Sequence, residues 1–154
     1  MSIVFLNDSF MPMEDAKISP MDRGFLFGDG IYEVIPSYDG VLVGFGPHIK
    51  RMNEGLELIG IDFKWDEAKW REVCEELTSK NEGSNLGVYL HVSRGTDTKR
   101  FHAYTEDVAA TVFAYAFEIP AANVPDKSKA KGYKVSTTED LRWQRCNIKS
   151  TALL

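Results

Sequence analysis

The segment Leu86–Ser93 constrains the fold more than any other part of the sequence. Large aliphatic residues alternate along it with small, aromatic or polar ones, and the aliphatic set is Leu86, Val88, Leu90 and Val92. Successive side chains of a strand point to opposite faces of a sheet, so this alternation predicts a strand with two distinct faces. The chain therefore contains a sheet whose two sides have different surroundings.

Other segments are also typical of strands. Ile3–Leu6 is β-branched and apolar and runs into a turn, which predicts that a hairpin starts the fold. Tyr32–Tyr38 is followed by an Asp-Gly turn and then by Val41–Phe45, which predicts a second hairpin. Pro36 lies inside the first arm of that hairpin, where it implies an edge position or a bulge. Val108–Phe117 is predicted to be a further strand.

Two helices are predicted between these strands. The first opens at Pro47 and ends near Gly60, and its buried stripe consists of Ile49, Met52, Leu56 and Ile59. The second starts after Asp66, a plausible N-cap, and ends before Gly83. Its apolar positions follow the helical spacing i, i+3, i+4, i+7 and are Trp70, Val73, Cys74 and Leu77.

The remaining segments are irregular or interrupted. Ile18–Gly24 runs into Gly28–Gly30 as a loop rich in turn residues. Residues 119–132 carry Pro and Lys and almost no large apolar side chain, which predicts an interdomain linker. Tyr133–Thr138 is predicted to be a new strand, and residues 151–154 are apolar with no cap. A lone strand is unstable without neighbours, so we expect the chain to be part of a longer protein.

The predicted domain organisation follows from these segments. Residues 1–118 form an N-terminal α+β domain, residues 119–132 the linker, and residues 133–154 the incomplete start of a second domain.

Composition excludes several classes of function. The formal net charge is −5 and the pI about 5.2, which argues against binding to nucleic acid or to an anionic membrane. The longest mostly apolar run, Val108–Phe117, is about half the ~20 residues of a membrane helix. Cys74 and Cys146 provide neither a disulfide framework nor a structural zinc site, so we expect a reducing, cytoplasmic setting and no metal. Phosphate-loop, serine-hydrolase and zinc-protease motifs are missing from the sequence.

Lys149 is the first candidate catalytic residue. It stands between apolar neighbours after a predicted strand, where a partly desolvated amine could react with an aldehyde near neutral pH. The alternative is an ordinary surface lysine. Arg100 and His102 lie in a loop that could bind a carboxylate, although basic loops are usually only solvated.

Arg51 and Tyr32 are the other candidates. Arg51 lies beside the buried stripe of the first helix and could bind a phosphate; its alternative is a surface pair with Glu54. Tyr32 follows the glycine turn and could present its phenol to a site, with Glu33 facing the opposite way, but strand tyrosines are mostly packing residues. We interpret His91 as a structural group.

Four ordered stretches resemble the fold-type IV, pyridoxal-phosphate-dependent aminotransferases, and within them the D-amino-acid branch. Residues 22–34 look like the first signature of that family, and His48–Met52 like its phosphate-binding helix. Arg94–Thr96 with Arg100–His102 looks like its carboxylate loop, and residues 142–150 like its cofactor-lysine segment. Asn147 departs from the family, which tends to carry aspartate there, and Pro36 interrupts a strand that is usually continuous.

The resemblance implies a role for each candidate. Lys149 would link covalently to pyridoxal 5'-phosphate and shuttle the α-proton, and Arg51 would bind the cofactor phosphate. Tyr32, Arg100 and His102 would hold the substrate α-carboxylate. The implied reaction converts a D-amino acid to its 2-oxo acid and passes the amino group to an acceptor such as 2-oxoglutarate.

The resemblance also implies an architecture. We expect an α+β N-terminal domain with a mixed sheet and two helices, followed by the first elements of a truncated α/β domain, in a protein that forms homodimers. Because the family's second domain supplies further cofactor contacts, this chain alone should bind the cofactor weakly or not at all. A lyase of the aminodeoxychorismate type, or a non-catalytic remnant of the same fold, are the alternative functions.

Overall fold

The computed structural model describes residues 2–122, 126, 128–129, 132–139 and 144–152. Its strands are β1 (Ile3–Leu6), β2 (Ser9–Pro12), β3 (Gly30–Tyr38), β4 (Val41–Leu42), β5 (Asn85–Ser93) and β6 (Thr111–Glu118). Its helices are α1 (Arg23–Phe27), α2 (Phe45–Leu58) and α3 (Glu67–Lys80). None of the helices in this part of the chain is long and apolar enough to cross a membrane.

The six strands form one sheet in the order β2-β1-β6-β5-β3-β4. The longest pairing joins β3 and β5, from Gly30 opposite Ser93 to Tyr38 opposite Asn85. Every strand pair within the described residues is antiparallel. The α+β class with two long helices is therefore confirmed, while the sheet is antiparallel where a mixed one was expected.

The two faces of the sheet differ as the alternation in β5 predicts. On the helix face, Ile31 and Ile35 of β3 pack with the fully buried aliphatic residues of β5, which are Val88, Leu90 and Val92. The second face carries Tyr32, Tyr89, His91 and Tyr115, all of them half-buried. Tyr32 stacks on Tyr89 with their ring centroids 5.8 Å apart, and Tyr89 contacts Tyr115 at 5.2 Å.

Both long helices cover the helix face with the predicted stripes. α2 begins at Phe45, two residues before Pro47, because proline is accepted in the first turn of a helix, where its N–H has no partner to lose. β4 is correspondingly shorter than predicted. α3 is capped by Asp66, whose carboxylate accepts from Lys69 N at 2.7 Å. Burial raises the pKa of the Cys74 thiol to about 12, which makes this thiol an inert core group.

Helix α1 is missing from the sequence prediction, which treats its residues as a loop. The Asp22 carboxylate caps it by accepting from Gly24 N at 2.8 Å, and it also accepts from Ser93 Oγ at 2.7 Å. Gly28 ends the helix in the left-handed conformation, with φ 65°. A five-residue helix is too short to show a periodic apolar stripe, so only its caps could have revealed it.

Pro36 lies in an interior strand, on the side of β3 that faces the short strand β4, so its position is not the edge or bulge that was predicted. Its carbonyl accepts from Val43 N at 2.8 Å on the β4 side of β3, and its own nitrogen faces the same side because the two groups of a strand residue point together. β4 pairs only with Ser37 and Tyr38. The remainder of this edge of β3 is therefore available to another segment.

Residues 148–151 occupy that edge. Tyr32 N donates to Lys149 O at 3.1 Å, and Thr151 N donates to Gly30 O at 3.0 Å. Ile31 and Ser150 form an antiparallel bridge, and Ile148 is buried in the core. This pairing fixes the backbone of Lys149 beside the start of β3.

The strand predicted at Tyr133–Thr138 is wrong, since the described residues 132–139 adopt neither helix nor strand. Tyr133 and Val135 are 76% and 87% exposed, so these side chains are not packed against a sheet as a strand of this core would be. Part of the predicted linker, and Arg142 and Trp143 of the cofactor-lysine segment, lie outside the described residues.

Candidate active site

Lys149 and Tyr32 lie together on the second face of the sheet. Lys149 Nζ is 4.0 Å from the centroid of the Tyr32 ring, and its side chain is half-buried. An ammonium group over an aromatic face is attracted by the electrons of the ring, and a neutral amine gains no such attraction. The structure thus places the amine of Lys149 beside the ring of Tyr32, on the half-buried second face of the sheet.

The glycine turn before β3 holds the lysine segment in place. Thr151 Oγ1 donates to Gly28 O at 2.7 Å, in addition to the backbone bond to Gly30. A Cβ on Gly28 would lie 3.0 Å from the Cβ of Ala152, and one on Gly30 would lie 2.8 Å from Val92 O. The two glycines therefore permit a close approach of backbone that a larger residue would obstruct.

Arg51 pairs with Glu33, a residue that the sequence analysis left without a role. Arg51 Nε and Nη2 donate to the two carboxylate oxygens of Glu33 at 2.5 and 2.7 Å, and His48 Nδ1 lies 2.7 Å from Oε2. The expected alternative partner of Arg51, Glu54, pairs instead with Lys50. The signal for Glu33 was its position among the buried residues of β3, because a carboxylate on the core side needs cationic or donor partners.

The Arg51 guanidinium is suited to an anion. Its hydrogen bonds to Glu33 raise its pKa, which keeps it charged. Within the described residues Glu33 uses the Nε and Nη2 donors, so Nη1 remains for a ligand, and the side chain is 46% exposed. Arg51 and Lys149 both attach to the start of β3, through the neighbouring residues Glu33 and Tyr32.

Arg100 and His102 belong to a second group, beside α1. The Arg100 guanidinium lies 5.0 Å from the Phe27 ring centroid, and the His102 ring lies 5.6 Å from the same ring. Both side chains are exposed. A cleft of about 420 Å³ lined by His102, Phe27 and Ser150 separates this loop from the lysine segment. Of the five predicted site residues, the fold brings Tyr32 and Lys149 into contact, while Arg51 lies on α2 and pairs with Glu33, the neighbour of Tyr32 on the opposite face of β3.

His91 is only partly satisfied, because its buried Nε2 has no hydrogen-bond partner among the described residues. Burial lowers its pKa, so the ring is neutral at physiological pH, and Nδ1 lies 3.1 Å from Tyr89 Oη. Burial likewise raises the pKa of Tyr89 to about 12. Among the residues that the structure describes, no group of three or more His, Cys, Asp or Glu side chains could hold a metal ion.

The family described as Amino-transferase class IV matches residues 30–154. The D-alanine aminotransferase of Bacillus licheniformis is 37% identical over 151 residues, which are 98% of this chain and 52% of that protein. A D-alanine aminotransferase of Staphylococcus epidermidis is 37% identical over 154 residues, 100% of this chain and 54% of that protein. The chain thus spans about half the length of the curated relatives it matches.

Solved structures share the fold. The branched-chain amino acid aminotransferase of Escherichia coli superposes with a TM-score of 0.71 at 20% identity, over 77% of this chain and 40% of that one. A T.th. branched-chain amino acid aminotransferase, complexed with N-(5'-phosphopyridoxyl)-L-glutamate, gives a TM-score of 0.69 at 18% identity, over 76% of this chain and 40% of that one.

Proposed function

This chain belongs to the class IV aminotransferase family, and we propose that its protein transaminates D-amino acids to 2-oxo acids with pyridoxal 5'-phosphate. The single observation that carries the proposal is the position of Lys149 Nζ, 4.0 Å from the Tyr32 ring on a half-buried sheet face. The relatives that are D-alanine aminotransferases support the choice of D-amino acids as substrates.

The described residues fit a phosphorylated aldehyde. Lys149 supplies an amine, and Arg51 supplies a charged guanidinium whose Nη1 donor remains for a phosphate oxygen. Guanidinium groups match the geometry of phosphate oxygens well. When bound, the cofactor supplies an electron sink for the charge that develops at the substrate α-carbon.

The chain's own residues would position the substrate and move the proton. Glu33 orients Arg51, which fixes the phosphate end, while the backbone pairing with β3 fixes Lys149. Lys149 Nζ would take the proton from the substrate α-carbon. It would then deliver that proton to the carbon on the other side of the transferred nitrogen. A positioned general base of this kind contributes about 10²–10⁴-fold to a rate.

We further propose that the α-carboxylate is bound across a homodimer. Tyr32 lies beside Lys149, whereas Arg100 and His102 lie beside α1. The exposed loop of one protomer would thus complete the site of its partner, with guanidinium and imidazole donors for the carboxylate. The acceptor 2-oxoglutarate, the cytoplasmic location, the domain division at residues 118 and 132, and weak cofactor binding by this chain alone stay predictions.

Reductive labelling tests the role of Lys149. Pyridoxal phosphate is added to the purified protein, borohydride reduces any imine, and peptide mapping locates the adduct. We expect the label on Lys149 in the protein and in a Lys50→Arg control, and its loss in Lys149→Arg. A protein that is labelled only on other lysines would be the non-catalytic remnant.

An assay with and without an amino acceptor separates transaminase from lyase. The proposal expects 2-oxo acid to form from a D-amino acid in more than one turnover only when an acceptor is present. Pyruvate released from an aminodeoxychorismate-type substrate without any acceptor would instead establish the lyase.

A further inference from the structure

We propose that Arg23 is the positioning residue for the loop that carries Arg100 and His102, an inference that rests on the proposed function. Arg23 is 4% exposed, and its guanidinium reaches the loop backbone at two successive carbonyls. Nη1 donates to Phe101 O at 2.9 Å, and Nη2 donates to His102 O at 3.0 Å. A buried charge thus holds the backbone from which the exposed His102 side chain projects.

The other donors of Arg23 anchor it to the body of the domain. Nε donates to Asp29 Oδ2 at 2.9 Å, and Nη1 also lies 3.4 Å from Asp97 Oδ2. Asp97 stands at the start of the loop and accepts from Thr105 Oγ1 at 2.8 Å. Only a planar group with several donors can serve these acceptors together, so lysine cannot replace the arginine.

The same guanidinium supports the side chains of the loop through Phe27. Arg23 Cζ lies 4.7 Å from the Phe27 ring centroid, and this ring is the one that Arg100 and His102 contact. Residues 98–107 contain neither helix nor strand, so these contacts replace the sheet or helix bonds that would otherwise order the backbone. Arg23 therefore acts on both the backbone and the side chains of the loop.

Asp29 connects this support to the lysine segment. It lies between Gly28 and Gly30, whose carbonyls accept from Thr151 Oγ1 and Thr151 N. Burial acts to raise the pKa of Asp29, but hydrogen bonds from Arg94 and Arg23 outweigh it and lower the pKa. The carboxylate is thus charged, and one ionic cluster fixes the carboxylate-binding loop against the turn that holds Lys149.

The test compares Arg23→Lys with Arg71→Lys. Arg71 also pairs with carboxylates, those of Glu67 and Glu75, but it lies on the exposed side of α3, and none of its contacts among the described residues reaches the loop. We expect Arg23→Lys to raise KM for both the amino acid and the oxo acid by about tenfold or more, with kcat changed by less than about threefold. Arg71→Lys should leave both KM values within about twofold.

Hydrogen exchange provides a readout that does not depend on activity. Backbone amides of residues 99–104 should exchange faster in Arg23→Lys than in the unaltered protein, with no such change in Arg71→Lys. Unchanged exchange and unchanged KM in Arg23→Lys, or equal KM increases in both variants, would overturn the proposal. If the longer protein to which this chain is expected to belong shows no transamination, the proposed function fails, while the exchange comparison still decides the role of Arg23.

A second variant covers the case in which Arg23→Lys does not fold. Thr105→Val changes an exposed residue and removes the hydrogen bond to Asp97, the partner of Arg23 at the start of the loop. It should raise both KM values in the same direction by a smaller factor and speed exchange in residues 99–104. No change in either measurement would contradict the proposed network.

Discussion

Two arginine–carboxylate clusters flank the start of β3, and they use their donors differently. In the first, Glu33 is fully buried while Arg51 is 46% exposed and keeps Nη1 for a ligand. In the second, Arg23 and Arg94 are buried, and their hydrogen bonds go to Asp29, Asp97 and backbone carbonyls. An arginine–carboxylate ion pair therefore orients a binding group in the first cluster and fixes a backbone segment in the second.

The comparison shows how to distinguish the two roles. Arg23, Arg51 and Arg94 all lie in stretches that resemble family signatures, and the sequence assigned a ligand to Arg51 but no role to Arg23. The number of donors that the protein itself uses, and the exposure of the remainder, separates a ligand-binding arginine from a structural one. Substitutions on the carboxylate side test that distinction, since they alter each cluster without removing its arginine.

Glu33→Gln should have the largest effect. It removes the charge that balances Arg51 and leaves one carbonyl oxygen where two carboxylate oxygens accepted hydrogen bonds. We expect the free energy of unfolding to fall by about 1.5–3 kcal/mol, the contribution of hydrogen bonds between charged groups, because the Arg51 left behind is half-exposed and keeps its contact with water. We also expect weaker binding of pyridoxal phosphate, because Arg51 is no longer oriented.

Urea unfolding and spectroscopic titration with pyridoxal phosphate measure both effects. Glu54→Gln is the matched control, since Glu54 pairs with Lys50 on the exposed side of the same helix. If Glu33→Gln binds pyridoxal phosphate as tightly as Glu54→Gln does, Glu33 contributes to stability alone. The first cluster would then have no role in binding that distinguishes it from the second.

Asp29→Asn should have a smaller effect, confined to stability and the loop. Hydrogen bonds between charged groups contribute about 1.5–3 kcal/mol, and Asp29 is partly exposed, so we expect a loss toward the lower end of that range. Labelling of Lys149 should persist. A loss of labelling with intact folding would mean that the second cluster also determines cofactor binding.

The pH dependence of the unfolding free energy, compared between the protein and Asp29→Asn, checks the charge of Asp29. Its pKa in the folded protein is lowered below the ordinary value of about 3.9, so its contribution to stability is present above that pH. The contribution is lost as the pH falls through the folded pKa. The difference in unfolding free energy between protein and variant should be constant between about pH 5 and 7 and shrink below about pH 4. A difference that grows toward low pH would contradict the assignment.

Lys69→Ala should have the smallest effect. Lys69 pairs with Glu72 at 2.8 Å on the exposed side of α3, where both side chains contact solvent. Exposed ion pairs contribute about 0–1 kcal/mol, so the unfolding midpoint should hardly move. A loss as large as that of Asp29→Asn would show that exposure does not govern the strength of these pairs.

The sequence predicted elements with a periodic pattern and missed those set by distant partners. The stripes of α2 and α3 and the alternation of β5 emerge from local spacing, because burial of one face selects the residues. The prediction of a strand at Tyr133–Thr138 failed because β-propensity alone does not make a strand.

The candidate site shows the same difference between features set by local patterns and features set by distant partners. Lys149, Arg51, Tyr32, Arg100 and His102 came from resemblance to a family; local patterns left each of them ambiguous. Glu33 and Arg23 were missed because their partners lie 6 to 79 residues away, some of them backbone carbonyls, and no local pattern reveals such pairs. The separation of the carboxylate loop from Tyr32 depends on the three-dimensional path of the chain.

The attachment of the lysine segment to β3 has a consequence for the order of assembly. The bond between Thr151 and Gly28 closes a loop spanning 123 residues, whereas β3 and β5 meet over about half that separation. Longer loops lose more chain entropy on closure, so we expect the β3–β5 ladder to form first. Lys149 then arrives last, on a scaffold that is already rigid.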